Sequence, residues 1–476
     1  MIEMVAALMG GVLYGLIIGI VPSAGATTGL IALFGVISYF AHEPYLGVIF
    51  LMAVVAASTT GDSFTAILLG IPGANSAAAT MVDGFPLAKQ GRASYAISAA
   101  VTTSTVNGLI WGCLVFLLFP WYTNLIMILG IPELWAFTML ALATVGFLST
   151  KNWIRSILAI AFGIFIGMVG TDPETNEARY TLGWFYLEDG IQIMAVAAGL
   201  FAIPELTKGL FTKSQTASIV KDEVFVGMKA VWENRWLALR GGFIGAFIGL
   251  LPGLGGQMAD WMAYGSALAA NPKEEFGKGN IKGVIGPEGA NNSQKATSMI
   301  TTVLFGIPGA KFAAILMSLF MYLNFEMGTP VIAEDTKFFA SMTFGFLGAT
   351  VIVAILCIVL IRPICYITSV PYIYYFPFLI ALVVYTSMQY TGGWEDLAML
   401  AIFSIIGFVC KYFKFSRPAM LIGYILAEKI EGLTLQLTGL YTLETLITRP
   451  LFMILVVSIL IIFVYSFMRK GKIDYA

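Results

Sequence analysis

Ser58, Thr59, Thr60, Asp62, Ser63 and Thr65 fall within one short stretch of otherwise apolar sequence. A second polar run holds Glu288, Asn291, Asn292, Ser293 and Lys295. Hydroxyl and carboxamide oxygens coordinate cations, and the corresponding donors hydrogen-bond carboxylates. An aspartate or lysine inside apolar sequence is costly enough to mark a functional position. Asp260, just beyond the "PGLGG" of residues 252–256, belongs with them. Each polar run leads into the same pentapeptide, GIPGA, at 70–74 and again at 306–310. A Pro-Gly break frees backbone groups that cannot be left in hydrocarbon, so the sequence predicts helix ends lining a protected polar cavity. Helix N-termini there suit carboxylates and C-terminal carbonyls suit Na⁺. The alternative is a kinked helix packed by small residues.

The candidate solute-binding residues are therefore Ser23, Gly25, Thr59, Thr60, Ser63, Gly73, Asn75, Gly253, Gly255, Asn291, Asn292, Lys295, Gly309 and Lys311. The candidate ion-coupling residues are Asp62, Thr65, Asp260 and Ser293. A purely structural pairing of Asp62 with Lys295 or Lys311 is the competing reading. No organic cofactor is expected, only a coupling ion, Na⁺ or H⁺.

The elements that must position these groups are membrane helices. Hydrophobic residues make up 59% of the 476 and charged residues 11%, against roughly 25% charged in soluble domains, and mean hydropathy is +0.88. The fold class this implies is an all-α polytopic membrane protein with about 10–12 membrane segments. A net charge of −1 gives no basic stripe for phosphate neutralisation, so nucleic acid is not an expected partner. Cys113, Cys357, Cys365 and Cys410 lie in apolar runs without metal-ligand spacing and read as small buried hydrophobes. The lone histidine, His42, reads as an interfacial loop residue. The N-terminus lacks a basic flank and a small-residue cleavage site, so it reads as a retained first helix.

Self-comparison shows a repeat. Gly15, Gly19, Pro22 and Gly25 match Gly245, Gly249, Pro252 and Gly255, and the GIPGA copies follow in the same order. A third pair sets 150–167 against 391–408. In the first copy Lys151 and Arg155 precede the helix, and residues 171–189 after it hold five acidic residues and one arginine. In the second, Glu395 and Asp396 precede it, and Lys411, Lys414 and Arg417 follow. The positive-inside bias gives the copies opposite orientations, the inverted repeat of secondary transporters. The expected division is 1–207, a cytoplasmic linker with an interfacial helix at 208–240, and 241–476. The basic residues near the end of the chain place the C-terminus in the cytoplasm. Residues 79–96, with Asp83, Lys89 and Arg92, read as a polar gating or hinge loop, or equally as a solvated one, and 418–431 as a re-entrant segment too short to span.

The ordered set "GIVPSAGATTGL", "TTGDSFTAILLGIPGANSAAATMVDGFPLAKQGRA", "PGLGGQMADWMAYG", "FGKGNIKGVIGPEGANNS" and "RPAMLIGYILAE" resembles the large membrane subunit of the tripartite tricarboxylate transporters, over residues 10–435. The resemblance implies an inner-membrane permease driven by a proton or Na⁺ gradient. It also implies a small four-helix membrane subunit and an extracytoplasmic solute-binding protein that delivers a carboxylate. The chain departs from the family pattern at Ser23, at Gly61-Asp62-Ser63-Phe64-Thr65, at Asn75, and at Lys295 and Lys311, where small residues are common. On this reading Lys295 or Lys311 balances a substrate carboxylate while Asp62 titrates or helps hold a cation. A channel would need a continuous polar ring and would show non-saturating flux. An aspartyl protease built on Asp62 and Asp260 would lack the usual sequence contexts of such dyads.

Overall fold

The computed structural model describes residues 2–21, 25–70, 74–117, 130–148, 153–172, 177–211, 223–252, 255–368, 372–388, 391 and 393–468. The chain is helical almost throughout; a two-residue antiparallel pairing, Gly170–Thr171 with Ala178–Arg179, interrupts it. Among the described residues four helices are long and apolar enough to cross a membrane: α1 (Ile2–Ile20), α3 (Pro44–Leu69), α5 (Ala93–Leu117) and α16 (Thr336–Val359). Between the first three lie α2 (Gly25–Ala32) and α4 (Ala78–Lys89). There follow α6 (Ile131–Leu148), α7 (Trp153–Gly167), α8 (Ile193–Ala197) and, after a π-helical turn at Ala198–Ala202, α9 (Ile203–Phe211). Next come α10 (Val224–Glu233), α11 (Arg235–Gly249), α12 (Gly255–Ala270) and α13 (Lys282–Met299), whose end is a second π-helical turn at Ile300–Leu304. After α14 (Lys311–Tyr322) and α15 (Pro330–Glu334), α16 leads to α17 (Ile361–Thr368), α18 (Phe376–Ser387), α19 (Trp394–Tyr412), α20 (Arg417–Leu440), α21 (Leu443–Ile447) and α22 (Pro450–Met468). This is an all-α polytopic membrane protein.

Two helix pairs are held by ladders of three glycines. Along α1, Gly11, Gly15 and Gly19 lie against the carbonyls of Phe50, Val54 and Ser58 of α3. A Cβ on Gly15 would stand 2.7 Å from the Val54 oxygen. Along α11, Gly241, Gly245 and Gly249 lie in the same way against the carbonyls of Gly286, Ala290 and Gln294 of α13. Where lipid removes the hydrophobic drive between helices, such four-residue glycine spacing lets backbones approach and recovers dispersion contact. The ladders occupy matching positions of the sequence repeat. The halves also interlock: α3 packs on α16 and α13 on α5. Farther along, α7 packs on α20 and α19 on the first π-helical turn.

The second GIPGA shows how a helix stops here. Gly306 has φ +59°, the left-handed conformation that glycine supplies at helix ends. The Ile307 amide donates to the Thr301 carbonyl at 3.2 Å and the Gly328 amide to the Val303 carbonyl at 2.8 Å. The Lys429 ammonium, from α20, donates to the Phe305 carbonyl. A cation on the last carbonyls of a helix complements the dipole. Gly70 ends α3 with the same conformation, φ +63°, while Ile71–Gly73 lie outside the described residues. Gly306→Ala adds a Cβ 2.8 Å from the Met327 oxygen on left-handed backbone; it is expected to destabilise by about 1–3 kcal/mol. Thermal unfolding in detergent measures this, and an unchanged midpoint would refute the cap.

Two sequence expectations change. Residues 78–89 form a helix, and Asp83 on it is buried, because its carboxylate finds partners from the second half. The stretch 418–431 belongs to the 24-residue helix α20, which the short-span argument cut at its charged residues. Those charges have partners: Glu431 pairs with Arg179 at 2.6 Å, and Lys429 holds the Phe305 carbonyl. Of the predicted linker, residues 212–222 lie outside the described residues, as does the chain beyond Met468. The described cysteines Cys113, Cys357 and Cys410 are free thiols.

Candidate functional site

The sequence of α13, "KGVIGPEGANNSQKATSM", is polar along most of its length, yet its residues from Gly283 to Met299 are buried. A polar helix enclosed by protein must present its side chains to partners, a cavity or a solute. The first half supplies the facing surface. The C-terminal part of α3 carries Ser58 to Thr65, all buried, and α4 contributes Thr80.

Glu288 joins these elements. Its Oε1 accepts hydrogen bonds from Ser63 and Thr80, each at 2.8 Å, and Oε2 has no partner. One turn above is Asn291, whose carboxamide lies beside Glu288. Two turns above is Lys295. Its ammonium donates to the Thr59 hydroxyl and sits 5.7 Å from the centre of the Phe312 ring. Thr59 in turn donates to the Val55 carbonyl at 2.7 Å, which fixes its lone pairs toward the lysine. The charges surrounding Lys295 are Asp62, Asp260 and Glu288. Neither oxygen of Asp62 nor of Asp260 has a hydrogen-bond partner, although both residues are buried. Both carboxamide atoms of Gln294 and the Thr60 hydroxyl are unpartnered as well. Among the described residues no ion pair within 4.0 Å joins Lys295 to any of the three carboxyl groups, so the simple structural pairing is absent. One ammonium and three carboxyl groups are therefore electrostatic neighbours, and both aspartates among them have unmet hydrogen-bonding capacity.

The other predicted residues divide. Thr65 donates to the Asp62 carbonyl of its own helix at 2.9 Å. Ser293 donates to the Gly289 and Ala290 carbonyls and faces Gly245 of α11. Both hydroxyls are thus committed to backbone in this conformation. Asn292 turns to α5, where its amide nitrogen donates to the Ser104 carbonyl at 3.3 Å. Gly25 and Gly255 begin α2 and α12 with φ of +58° and +70°. The Gly309 amide donates to Thr302 Oγ1 at 3.3 Å. Asn75 opens a short 3-10 turn, Asn75–Ala77. Ser23, Gly73 and Gly253 lie outside the described residues. Lys311 is in another environment: its ammonium is 5.4 Å from the Phe201 ring centre, and the charges around it are Arg417 and Glu205.

Two positioning residues escaped the sequence reading, and a third was seen but placed wrongly. Lys429 and Thr80 carry no local signal. Asp83 resembled a solvated loop charge, but its Oδ1 accepts the amides of Gly277, Gly279 and Asn280 at 2.7, 3.0 and 2.9 Å. Its Oδ2 accepts the Tyr264 hydroxyl at 3.0 Å. This ties α4 to α12, one turn from Asp260, and to the 271–281 loop that enters α13. The loop is braced by Lys282, which bonds Asn271 at 2.8 Å and Glu274 at 2.5 Å. Lys282 and Asn280 hold the Glu274 carboxyl below its usual range.

The Tripartite tricarboxylate transporter TctA family matches residues 5–422. An uncharacterized 52.8 kDa protein in the TAR-I ttuC' 3' region of Agrobacterium vitis is 28% identical over 434 residues, covering 88% of this chain and 84% of that protein. An uncharacterized protein in the TAR-II ttuC' 3' region of the same organism is 29% identical over 192 residues, covering 39% of this chain and 78% of its own length. No solved structure matches. A match running from the first helix into α20, through both GIPGA breaks and the polar helix between them, shows that the chain belongs to the tripartite tricarboxylate transporter TctA family.

Proposed function

We propose that this chain is the solute-translocating permease of a secondary-active carboxylate uptake system, working by alternating access on a Na⁺ or H⁺ gradient. The observation that carries the reading is buried Lys295 with Asp62, Asp260 and Glu288 as its charged neighbours and both aspartates lacking hydrogen-bond partners. Three buried carboxylates and one ammonium would leave a net charge that the membrane interior does not tolerate. Protons or a bound cation must discharge the excess, and only then is Lys295 free to face an incoming carboxylate. Cation loading therefore favours anion loading, which is the thermodynamic content of symport. Asp62 and Asp260 are the coupling groups in this scheme. Lys295, Thr59, Thr60 and Asn291 contact the solute.

The repeat halves, 1–207 and 241–476 about the 208–240 linker, are inverted in this scheme, so each conformation exposes the site to one side. The family supports an extracytoplasmic binding protein that hands over the carboxylate, a small four-helix membrane partner, and an inner-membrane location with the C-terminus in the cytoplasm. The test is uptake of labelled di- and tricarboxylates into proteoliposomes holding the complete complex, under imposed Na⁺ or pH gradients. Saturable accumulation that collapses with one gradient supports the reading. Non-saturating flux at channel rates, or uptake indifferent to both gradients, overturns it.

A further inference from the structure

Lys295 and Lys311 lie either side of the same helix start. Phe312 turns its ring toward Lys295, while the preceding residue, Lys311, projects to the ring of Phe201. The two ammonium groups therefore belong to different clusters, with no charged neighbour in common. The second cluster is built on the π-helical turn Ala198–Ala202. Arg417 lies with its guanidinium carbon 5.4 Å from the Phe201 ring centre. It donates to the Leu200 carbonyl at 3.0 Å and pairs with Glu205 at 2.6 Å. Lys411 donates to the Pro204 carbonyl at 3.2 Å. Arg417 and Lys411 are thus anchored, and Glu205 offsets one of the three cations. For the Lys311 ammonium no hydrogen-bond or ion-pair partner is present among the described residues, and it stands over the face of the Phe201 ring. Lys311 opens α14, whose first amides have no side-chain cap. The first GIPGA has Asn75 at the equivalent place, so this excess of positive charge belongs to the second break alone.

We propose that Lys311, with Arg417, Lys411 and the Phe201 ring, forms a second anion site that takes one carboxylate of a di- or tricarboxylate, separate from the Lys295 site and joined to it through the start of α14. The proposal rests on the carboxylate-permease reading for its substrate class. A surplus of two positive charges, one of them the partnerless Lys311 ammonium, attracts a multivalent anion far more than a monovalent one. The site serves as a way-station at one mouth of the transport path, and a solute with at least two carboxylates engages it before leaving Lys295.

The full-length protein in phosphatidylcholine nanodiscs is treated with an amine-acylating reagent, and labelling of Lys311 is read by peptide mass spectrometry against exposed Lys278. Succinate or citrate is expected to slow labelling of Lys311 about tenfold, with acetate much weaker, in the wild type and equally in Lys295→Gln. In Lys411→Gln the protecting concentration rises. No protection by any anion, protection lost in Lys295→Gln, or protection seen only when an anionic phospholipid is added to the disc would each overturn the proposal; the last would make it a headgroup site. Protection without proteoliposome uptake would sink the permease reading and leave the anion site standing, so the two failures are separable.

Discussion

Lys295→Met is expected to cut carboxylate uptake by at least about a hundredfold, because it removes the one ammonium among Asp62, Asp260 and Glu288. Stripping one partner from a buried charge cluster costs about 3–5 kcal/mol, and about 1.4 kcal/mol is a factor of ten. The isolated variant also leaves the Thr59 hydroxyl without the ammonium it accepts from, so loss of folded protein is a competing cause. The double variant Asp62→Asn with Lys295→Met separates the two. Removing a carboxyl along with the ammonium relieves the electrostatic strain, so its thermal midpoint is expected to recover toward wild type while uptake stays low. Recovery of both would reduce the cluster to a structural device. Wild-type uptake in Lys295→Met alone would end the proposal that this lysine meets the solute. Lys295→Arg is expected to be a poor substitute, since a planar five-donor fork does not occupy the space of a compact ammonium.

Asp83→Ala is the second large effect. It orphans three backbone amides and the Tyr264 hydroxyl at once. Each hydrogen bond to a charged group is worth about 1.5–3 kcal/mol, and loss of the set is expected to cost about 3 kcal/mol or more after the loop relaxes. The 271–281 loop should then open to protease. Lys273 and Lys278 are exposed on it, so trypsin cleavage there should accelerate well before global unfolding. Asp83→Asn keeps one acceptor oxygen for the three amides and should lose much less. Equal cleavage rates in wild type and Asp83→Ala would show that the loop is held by other contacts. Because the same loop runs directly into α13, loosening it is expected to raise KM for the solute as well, through misplaced Glu288 and Lys295.

How much of this was legible beforehand follows from the range of the interactions. Composition and the length of apolar runs gave the membrane class, since the hydrocarbon slab imposes that signal on each helix separately. The glycines at 15 and 19 and at 245 and 249 could be matched by spacing alone, because close helix approach is written at four-residue intervals. The helix stops at Gly70 and Gly306 were readable for a similar reason: a left-handed residue is a local demand. Asp83 was not readable. Its three amide partners lie 194 to 197 residues away, and nothing near it in the chain says that it will be enclosed. Lys429 is likewise 124 residues from the carbonyl it holds.

The chain by itself therefore determined the material: an apolar helical membrane protein, a repeated pair of helix breaks, and polar groups placed beside them at a cost that demands a use. Tertiary structure decided which of those groups meet. It put Glu288 under Ser63 and Thr80 from the other half, gathered Asp62, Asp260 and Lys295 without pairing them, and sent Lys311 to a different neighbourhood. The physical reason is that propensity, spacing and hydropathy act over a few residues, whereas the environment of a buried charge is set by the helices that happen to interlock around it.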